Sequence, residues 1–352
     1  MEHGDKKMDM RTRACLAAGL TTASLGSFPA LAQSASAADS VSIYGVVDAY
    51  VGSLRRSDQP GRTKVLNSGG MTTSYWGVQG SEDLGGGLRS FFALESFFQA
   101  DSGTFGRTTA DPYFSRNAYV GLGGAYGQVS AGRQTNALYA ATGNFNPFLA
   151  SANLSPVMLQ VWSTGYNRAV LGDSVWDNTL QYASPDMAGF RVSAAYGLGE
   201  VTNRGGVRNV NLTINYAKGP FAAVISAQQV KAGPGLAAPI SSQKAQMAGL
   251  SYDFEAVKLY GQYFHTDTPD IRTTTRTAQL GVAVPVGAGR IMASIAQTKR
   301  DMPIADTSRT TAALGYDHYL SKRTDLYAVY LSDRLTGYER RASLALGMRH
   351  RF

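Results

Sequence analysis

The C-terminal stretch RASLALGMRHRF (residues 341–352) alternates apolar and polar side chains almost without a break. One face consists of Ala342, Leu344, Leu346, Met348 and Phe352, interrupted only by His350. The other face carries Arg341, Ser343, Ala345, Gly347, Arg349 and Arg351. Successive side chains of a β-strand point to opposite sides, so this stretch predicts a strand between an apolar medium and water.

The same alternation recurs along the chain and predicts sixteen strands. The segment NVNLTINY (residues 209–216) is the clearest example in the middle of the sequence, because four amide or hydroxyl side chains lie on one face. The predicted segments are 41–52, 71–83, 88–101, 114–124, 126–135, 175–184, 189–199, 208–217, 220–231, 243–253, 257–266, 274–284, 290–300, 308–318, 323–333 and 341–352.

The connections between these segments alternate between short turns and long loops, and the longest covers residues 136–174. This alternation is typical of outer-membrane barrels. Hydrocarbon cannot satisfy an unpaired backbone group, so a sheet in a membrane must close on itself. The sequence therefore predicts an all-β protein, a sixteen-stranded antiparallel transmembrane β-barrel. Sixteen strands enclose a lumen too wide for side chains to fill, which predicts an aqueous channel.

The first 32 residues have the pattern of a secretory signal peptide. Lys6, Lys7, Arg11 and Arg13 precede a modest apolar region, and Ala30-Leu31-Ala32 forms a small-x-small cleavage site. We expect residues 1–32 to be removed and residues 33–352 to form the barrel. Translation could start at Met1 or at Met10.

Composition argues against several other functions. The formal charge is +8, and the signal peptide contains four basic and three acidic residues, which leaves +7 on the exported part. Only 16% of residues are charged and no Lys/Arg tract occurs, so a nucleic-acid partner is not expected. Cys15 lies in the signal peptide, and His265, His318 and His350 are far apart, so neither a metal site nor a cofactor is predicted.

Several stretches resemble the general diffusion porins of Gram-negative bacteria, in particular the β-proteobacterial type. They are SIYGVVD (42–48), WGVQGSEDLGGGL (76–88), AYVGL (118–122), GRQ (132–134), LSKRTDLY (320–327) and RHRF (349–352). The resemblance spans the exported chain. It implies a barrel in the cell outer membrane, usually a homotrimer in contact with lipid and lipopolysaccharide, whose third long loop folds inward. Here that loop is residues 136–174. A terminal Phe352 is similar to the signal that the barrel-assembly machinery reads in such porins.

The same resemblance suggests where the pore is narrowest. Arg133 matches one rung of the family's ladder of basic residues that faces the inserted loop, while Tyr75 and Gln181 stand where the family often has a basic residue. Arg168 and Asp173 in the loop and Asp177 just after it are the charged residues expected at the constriction with Arg133. Alternatively, these loop residues cap the loop or pair with one another.

The water-facing side of the predicted strands suggests further lining residues. Together with Tyr75 and Gln181, the expected lining residues are Asp48, Arg191, Lys258, Arg290 and Arg349. Basic side chains outnumber acidic ones there, so we expect weak anion preference, although a wall with little selectivity is an alternative. The predicted function is passive passage of small hydrophilic solutes and ions. A substrate-selective channel with a saturable lumenal site is the second interpretation. An enzyme is not favoured, because spacing marks no serine as a partner for His265 or His318.

Overall fold

The computed structural model describes residues 39–200 and 206–352, which form a closed antiparallel β-barrel. The predicted signal peptide, residues 33–38 and residues 201–205 between two predicted strands lie outside these residues. The strands are β1 Ser40–Leu54, β2 Thr63–Ser68, β3 Tyr75–Gly85, β4 Leu88–Phe97, β5 Asn117–Gly124, β6 Gly127–Thr135, β7 Val175–Ala183, β8 Phe190–Leu198, β9 Arg208–Lys218, β10 Phe221–Val230, β11 Gln243–Asp253, β12 Lys258–Thr268, β13 Thr273–Val286, β14 Gly289–Asp301, β15 Thr307–Tyr319, β16 Thr324–Leu335 and β17 Arg341–Arg351.

The first and last strands close the barrel. β1 pairs with β17 in an antiparallel register that runs from Val46 opposite Arg351 to Ser53 opposite Leu344. Alternation decides which side chains face outward: Leu344 and Leu346 are half exposed, whereas Ala345 between them is 1% exposed. The outer surface is therefore apolar, and the opposite faces of the same strands point into the barrel.

The described residues contain seventeen strands, but β2 and β3 share one barrel position. β2 pairs with the later part of β1, and β3 pairs with the earlier part, so the two lie end to end along the same neighbour. The barrel therefore has sixteen strand positions. The predicted strand 71–83 was wrong at its start, because residues 69–74 leave the ladder. Residues 53–70, which connect the first two predicted strands, contain β2.

The departure from the ladder has a local cause at Asp48. Its carboxylate accepts hydrogen bonds from the backbone N–H groups of Gly70, Met71 and Thr72, at 2.8 to 3.0 Å. These donors are turned away from the neighbouring strand to reach a buried carboxylate, so they cannot also serve the ladder. Alternation alone gives no sign of such a break.

The longest loop, residues 136–174, contains two short helices and a 3₁₀ turn. The helices are α1 Ala137–Asn144 and α2 Pro156–Trp162, and the turn is Thr164–Tyr166. Asn136 caps α1 by accepting from the N–H of Leu138, and Ser155 caps α2 before a proline at its first position. Within the described residues, no helix is long and apolar enough to cross a membrane.

Two apolar clusters hold this loop against barrel side chains that point inward. The first joins α1 and α2 to Val224, Met247 and Phe264. The second joins Phe148 and Leu154 to a further set of wall residues that includes Met292, Tyr327 and Val329. Apolar residues therefore occur on both faces of these strands, because one face meets the membrane and the other meets the loop.

Inward-facing glycines make room for the turn between the helices. A Cβ atom on Gly281 would lie 2.5 Å from Cδ of Pro147, and one on Gly315 would lie 3.0 Å from the ring of Phe148. Contacts below 3.0 Å force a shift of the neighbour, so any side chain at Gly281 would displace the loop. These two positions fix how closely the loop approaches β13 and β15.

Candidate channel constriction

Two glutamines attach the inner loop to the wall, one from the loop itself and one from a barrel strand. Gln160 of α2 donates to the carbonyl of Ala296 at 3.0 Å and to Oγ1 of Thr311 at 2.8 Å, and it accepts from Thr298. Gln262 of β12 donates to the carbonyls of Thr142 and Phe145 in the loop. All these groups are buried, so their loss would leave polar atoms unpaired in a place closed to water. Both helices of the loop are therefore attached to the barrel wall by hydrogen bonds.

The base of the loop is surrounded by a charged group that we call the loop-base cluster: Arg107, Asp111, Arg133, Asp173 and Asp177. Arg107 lies 2.9 Å from Asp173 and 2.8 Å from Asp111, measured between guanidinium nitrogen and carboxylate oxygen. Arg133 pairs with Asp177, and its Nη2 lies 3.9 Å from Asp173. Three residues expected at the constriction, Arg133, Asp173 and Asp177, thus lie together.

The position of Arg133 depends on an irregular pairing. The register between β6 and β7 shifts between Gly132 and Gln134, and Asn178 on the facing strand has a φ of 52°. This bulge directs the Arg133 side chain toward the loop base, where its Nε donates to the carbonyl of Ser115 at 2.9 Å. Bulges re-aim side chains that regular alternation would point elsewhere.

Three charged residues of the loop-base cluster, Arg107, Asp111 and Asp173, have shifted pKa values. Burial disfavours the charged form of Asp173, but hydrogen bonds and the positive charge of Arg107 outweigh it and lower the pKa of Asp173. The pKa of Asp111 is lowered in the same way by Arg107 against the effect of burial. For Arg107, burial works toward a lower pKa, yet the two aspartates raise it overall. Each partner thus stabilises the charge of the other.

A second group of charges lies beside Tyr75. The guanidinium carbon of Arg116 is 4.1 Å from the centroid of the Tyr75 ring, which is close enough for a cation–π interaction. Arg116 also pairs with Glu95, which accepts hydrogen bonds from Tyr44 and Asn117. A positive charge therefore lies over Tyr75, although residue 75 itself is uncharged.

Arg168 has different neighbours from the other predicted constriction residues. Its guanidinium donates to the carbonyls of Gly172, at 3.0 Å, and Pro234. Arg300 of β14 donates to the carbonyls of Asn167 and Arg168. Within the described residues, neither arginine has a carboxylate within 4.0 Å. Arg168 and Arg300 are thus joined through backbone carbonyls of the loop, and within the described residues neither forms a close ion pair.

Two of the expected lining residues face inward but are buried. Asp48 is 0% exposed, and its carboxylate is occupied by Tyr327 and the backbone of residues 70–72. Arg349 is 1% exposed and pairs with Asp325 at 2.9 Å and Asp317 at 3.4 Å. This differs from the wetted positions expected from alternation. Neighbouring side chains on β15 and β16 bury Asp48 and Arg349, and alternation in a single sequence does not reveal this burial.

The other expected lining residues retain some exposed surface. Gln181 on β7 faces inward and is partly exposed. Arg191 pairs with Asp186 at 3.3 Å, and Lys258 lies 3.9 Å from Asp253, both near short turns. Arg290 is mostly covered and lies 3.3 Å from Asp317. These ion pairs reduce the charge that the side chains present to the lumen.

Sequence reasoning missed Arg107, Arg116 and Arg300. Arg300 has the same alternation as Arg290, so the existing pattern could have identified it. Arg107 and Arg116 lie in the connection between β4 and β5, where alternation carries no information. Their importance depends on Asp173, Glu95 and Tyr75, which are distant in the sequence.

A closed barrel with an apolar outer surface, polar interior residues and a loop packed inside defines an outer-membrane channel protein. The profile of the Gram-negative porins matches residues 19–338. The chain belongs to the Gram-negative porin family and resides in the cell outer membrane, where it is a passive channel.

Relatives and solved structures agree with this assignment. The chain is 31% identical to outer membrane porin protein 32 of Delftia acidovorans over 313 residues, which covers 83% of each chain. It is 26% identical to an outer membrane porin of Bordetella pertussis over 95% of this chain and 99% of that one. The anion-selective porin from Comamonas acidovorans superposes with a TM-score of 0.74 and 26% identity, covering 89% of this chain and 100% of that one.

Proposed function

We propose that this porin passes small hydrophilic solutes and ions without catalysis, and that it weakly prefers anions. The narrow part of the pore lies between the loop 136–174 and the part of the wall around Arg133, where Arg116 lies just before β5. Arg133, Arg168, Asp173 and Asp177 contribute the charges there, and Tyr75, Gln181, Arg191, Lys258 and Arg290 contribute to the lining. Asp48 and Arg349 are buried on the inner face and support the wall through their hydrogen bonds and ion pairs.

The pairing of charges carries the proposed anion preference. The inward-facing acids Glu95, Asp317 and Asp333 each have an arginine within 4.0 Å, which reduces the negative field that they present. Arg168 and Arg300 bond only to carbonyl oxygens among the described residues, so no close ion pair offsets their positive charge. Uncompensated charge in a confined pore favours entry of the opposite ion. The anion-selective porin from Comamonas acidovorans supports the same direction.

Processing and assembly of this protein are proposed to follow the pattern of other porins. Residues 1–32 act as the signal peptide, residues 33–352 form the barrel, and the C-terminal Phe352 is read by the barrel-assembly machinery. The barrel forms a homotrimer, and its outer surface contacts lipid and lipopolysaccharide. Large apolar side chains of β1, such as Val41 and Ile43, are exposed on the outer surface. Their exposure supports contact with lipid or with a neighbouring subunit.

The reversal potential across a salt gradient in a planar bilayer tests the anion preference. The reversal potential of the wild type should have the sign that anion selectivity gives. The reversal potential of the double variant Arg168→Gln/Arg300→Gln should be closer to zero. The matched control is Arg276→Gln/Lys299→Gln, which removes two positive charges from the outward face and should leave the potential unchanged. Cation preference in the wild type, or equal shifts in both double variants, would contradict the proposal.

A further inference from the structure

On the outward face of β11 to β14, the basic side chains lie only at the strand ends next to the long loops. Lys244, Arg276 and Lys299 alternate with inward-facing residues and are exposed. Outward positions further down the same strands include Leu250, Leu280 and Ile295, which are large, apolar and exposed. No outward lysine or arginine occurs in the remaining parts of these four fully described strands. The positive charge is therefore confined to one edge of the apolar surface.

The register places these cations next to each other. Arg276 lies directly opposite Lys299 on β14 and directly opposite His265 on β12. Like charges facing each other across adjacent strands destabilise a sheet unless an opposite charge offsets them. We call His265, Arg276 and Lys299, together with Lys244, the outward basic row.

Acidic residues within the row offset only part of this charge. Asp301 lies 3.2 Å from Arg276, and Asp267 lies opposite Lys244 in the register without forming a close ion pair. Among the residues that the structure describes, neither Lys244 nor Lys299 has a carboxylate within 4.0 Å. The row therefore has more positive than negative charge, and the exposed Lys299 has no close ion pair among the described residues.

The row lies at the height where a lipid headgroup would meet the barrel. Two residues further down from His265, Arg276 and Lys299, roughly 7 Å away, the outward side chains are Tyr263, Ala278 and Gln297. The exposed Tyr263 is an amphipathic residue typical of a membrane interface. Another two residues further down, the surface becomes apolar at Leu250 and Leu280. A ligand with an anionic head and acyl chains would match this order from the loop end downward.

We propose that the outward basic row binds the phosphate groups of lipopolysaccharide in the outer leaflet. This inference rests on the proposed contact with lipopolysaccharide and names the site. The forked guanidinium of Arg276 can donate two hydrogen bonds to one phosphate, and Lys299 supplies a point charge beside it. The acyl chains lie against Leu250, Leu280 and Ile295. Phosphate binding offsets the like charges of Arg276 and Lys299.

The test measures binding of lipid A to the detergent-solubilised folded porin in the presence of EDTA. EDTA prevents a divalent cation from bridging the lipid to Asp267 or Asp301. The three probes are bisphosphorylated lipid A, dephosphorylated lipid A and inorganic phosphate. We expect bisphosphorylated lipid A to bind best, and Arg276→Gln/Lys299→Gln to weaken its binding about 30-fold, because each cation near a lipid surface contributes a comparable share.

The matched control is Lys258→Gln, which removes an inward-facing cation from the opposite end of the barrel. It should bind bisphosphorylated lipid A as the wild type does. Equal affinity for the dephosphorylated lipid, unchanged binding by the double variant, or equally strong binding of inorganic phosphate would overturn the inference. Normal conductance of the double variant in the same preparation would show that the channel function stands independently of that result.

Discussion

The hydroxyl of Tyr327 on β16 donates a hydrogen bond to Oδ1 of Asp48 on β1, across the intervening strand β17. The ring of Tyr327 passes over Gly347, where a Cβ atom would overlap it. The same carboxylate binds the backbone of residues 70–72, so one buried side chain connects the strands on both sides of the barrel closure.

We expect Asp48→Ala to destabilise the folded barrel strongly and Tyr327→Phe to destabilise it less. The alanine leaves the N–H groups of Gly70 and Met71, which are buried, and that of Thr72, which is partly buried, without an acceptor. Each unsatisfied buried donor costs about 1–3 kcal/mol. The phenylalanine removes one hydrogen bond of about 1 kcal/mol. The temperature at which the folded band disappears on detergent gels measures the effect. The control Tyr330→Phe changes an exposed outward tyrosine of the same strand, and an equal loss in this control would refute the assigned role.

We expect Gly281→Val to lower the single-channel conductance. The new side chain would collide with Pro147 and push residues 145–148 away from β13 into the lumen. Gly261→Val is the matched control, because a Cβ atom there faces outward and meets its nearest neighbour at 3.8 Å. Unchanged conductance in a folded Gly281→Val protein would show that the loop does not narrow the pore at this contact.

We expect Arg133→Glu to shift the reversal potential toward cation preference and to alter conductance. The substitution puts a third carboxylate beside Asp173 and Asp177, and the like charges repel one another in a partly buried place. Arg191→Glu makes the same charge change beside Asp186 near a short turn and should have a smaller effect. If the two variants behave alike, Arg133 does not face the narrow part of the pore.

We expect the contribution of Asp111 and Asp173 to ion selectivity to be lost only when the pH falls below the ordinary aspartate pKa of about 3.9. Asp111 and Asp173 have pKa values below the ordinary value of about 3.9 because Arg107 stabilises their charged forms. A lowered pKa gives stability that is present above the unfolded value and is lost as the pH falls through the folded value. Reversal potentials between pH 3 and pH 8 in uncharged lipid measure this.

Asp173→Asn should be more anion-preferring than the wild type already at neutral pH, because it lacks one of the negative charges. A selectivity change in the wild type between pH 5 and pH 7 would argue against the loop-base cluster as the group that responds to acid.

The strands were predictable because membrane and water impose one physical condition on every strand. Alternation placed Leu344 outward and Arg349 inward, and the ends of most strands followed from turn residues. The break at residues 69–74 was not predictable, because it depends on a contact with Asp48 more than twenty residues away. Alternation shows which face of the strand a side chain is on, but it does not show whether other residues bury that side chain.

The candidate site was predictable only in part for the same reason. Arg133 was identified through a family motif, yet its partner Asp177 depends on a bulge between β6 and β7. Arg107 lies in a loop without periodicity, and only the folded chain brings it to Asp173. The attachment of Gln160 to β14 and β15 likewise joins residues about 140 positions apart in the sequence.

The central claim is that the barrel encloses an open, water-filled path past the inner loop. Single-channel conductance of the purified protein in planar bilayers, measured over a range of salt concentrations, tests it most directly. The account predicts discrete steps whose conductance rises nearly in proportion to salt concentration. Insertion without current, or a conductance that saturates at low salt, would contradict it.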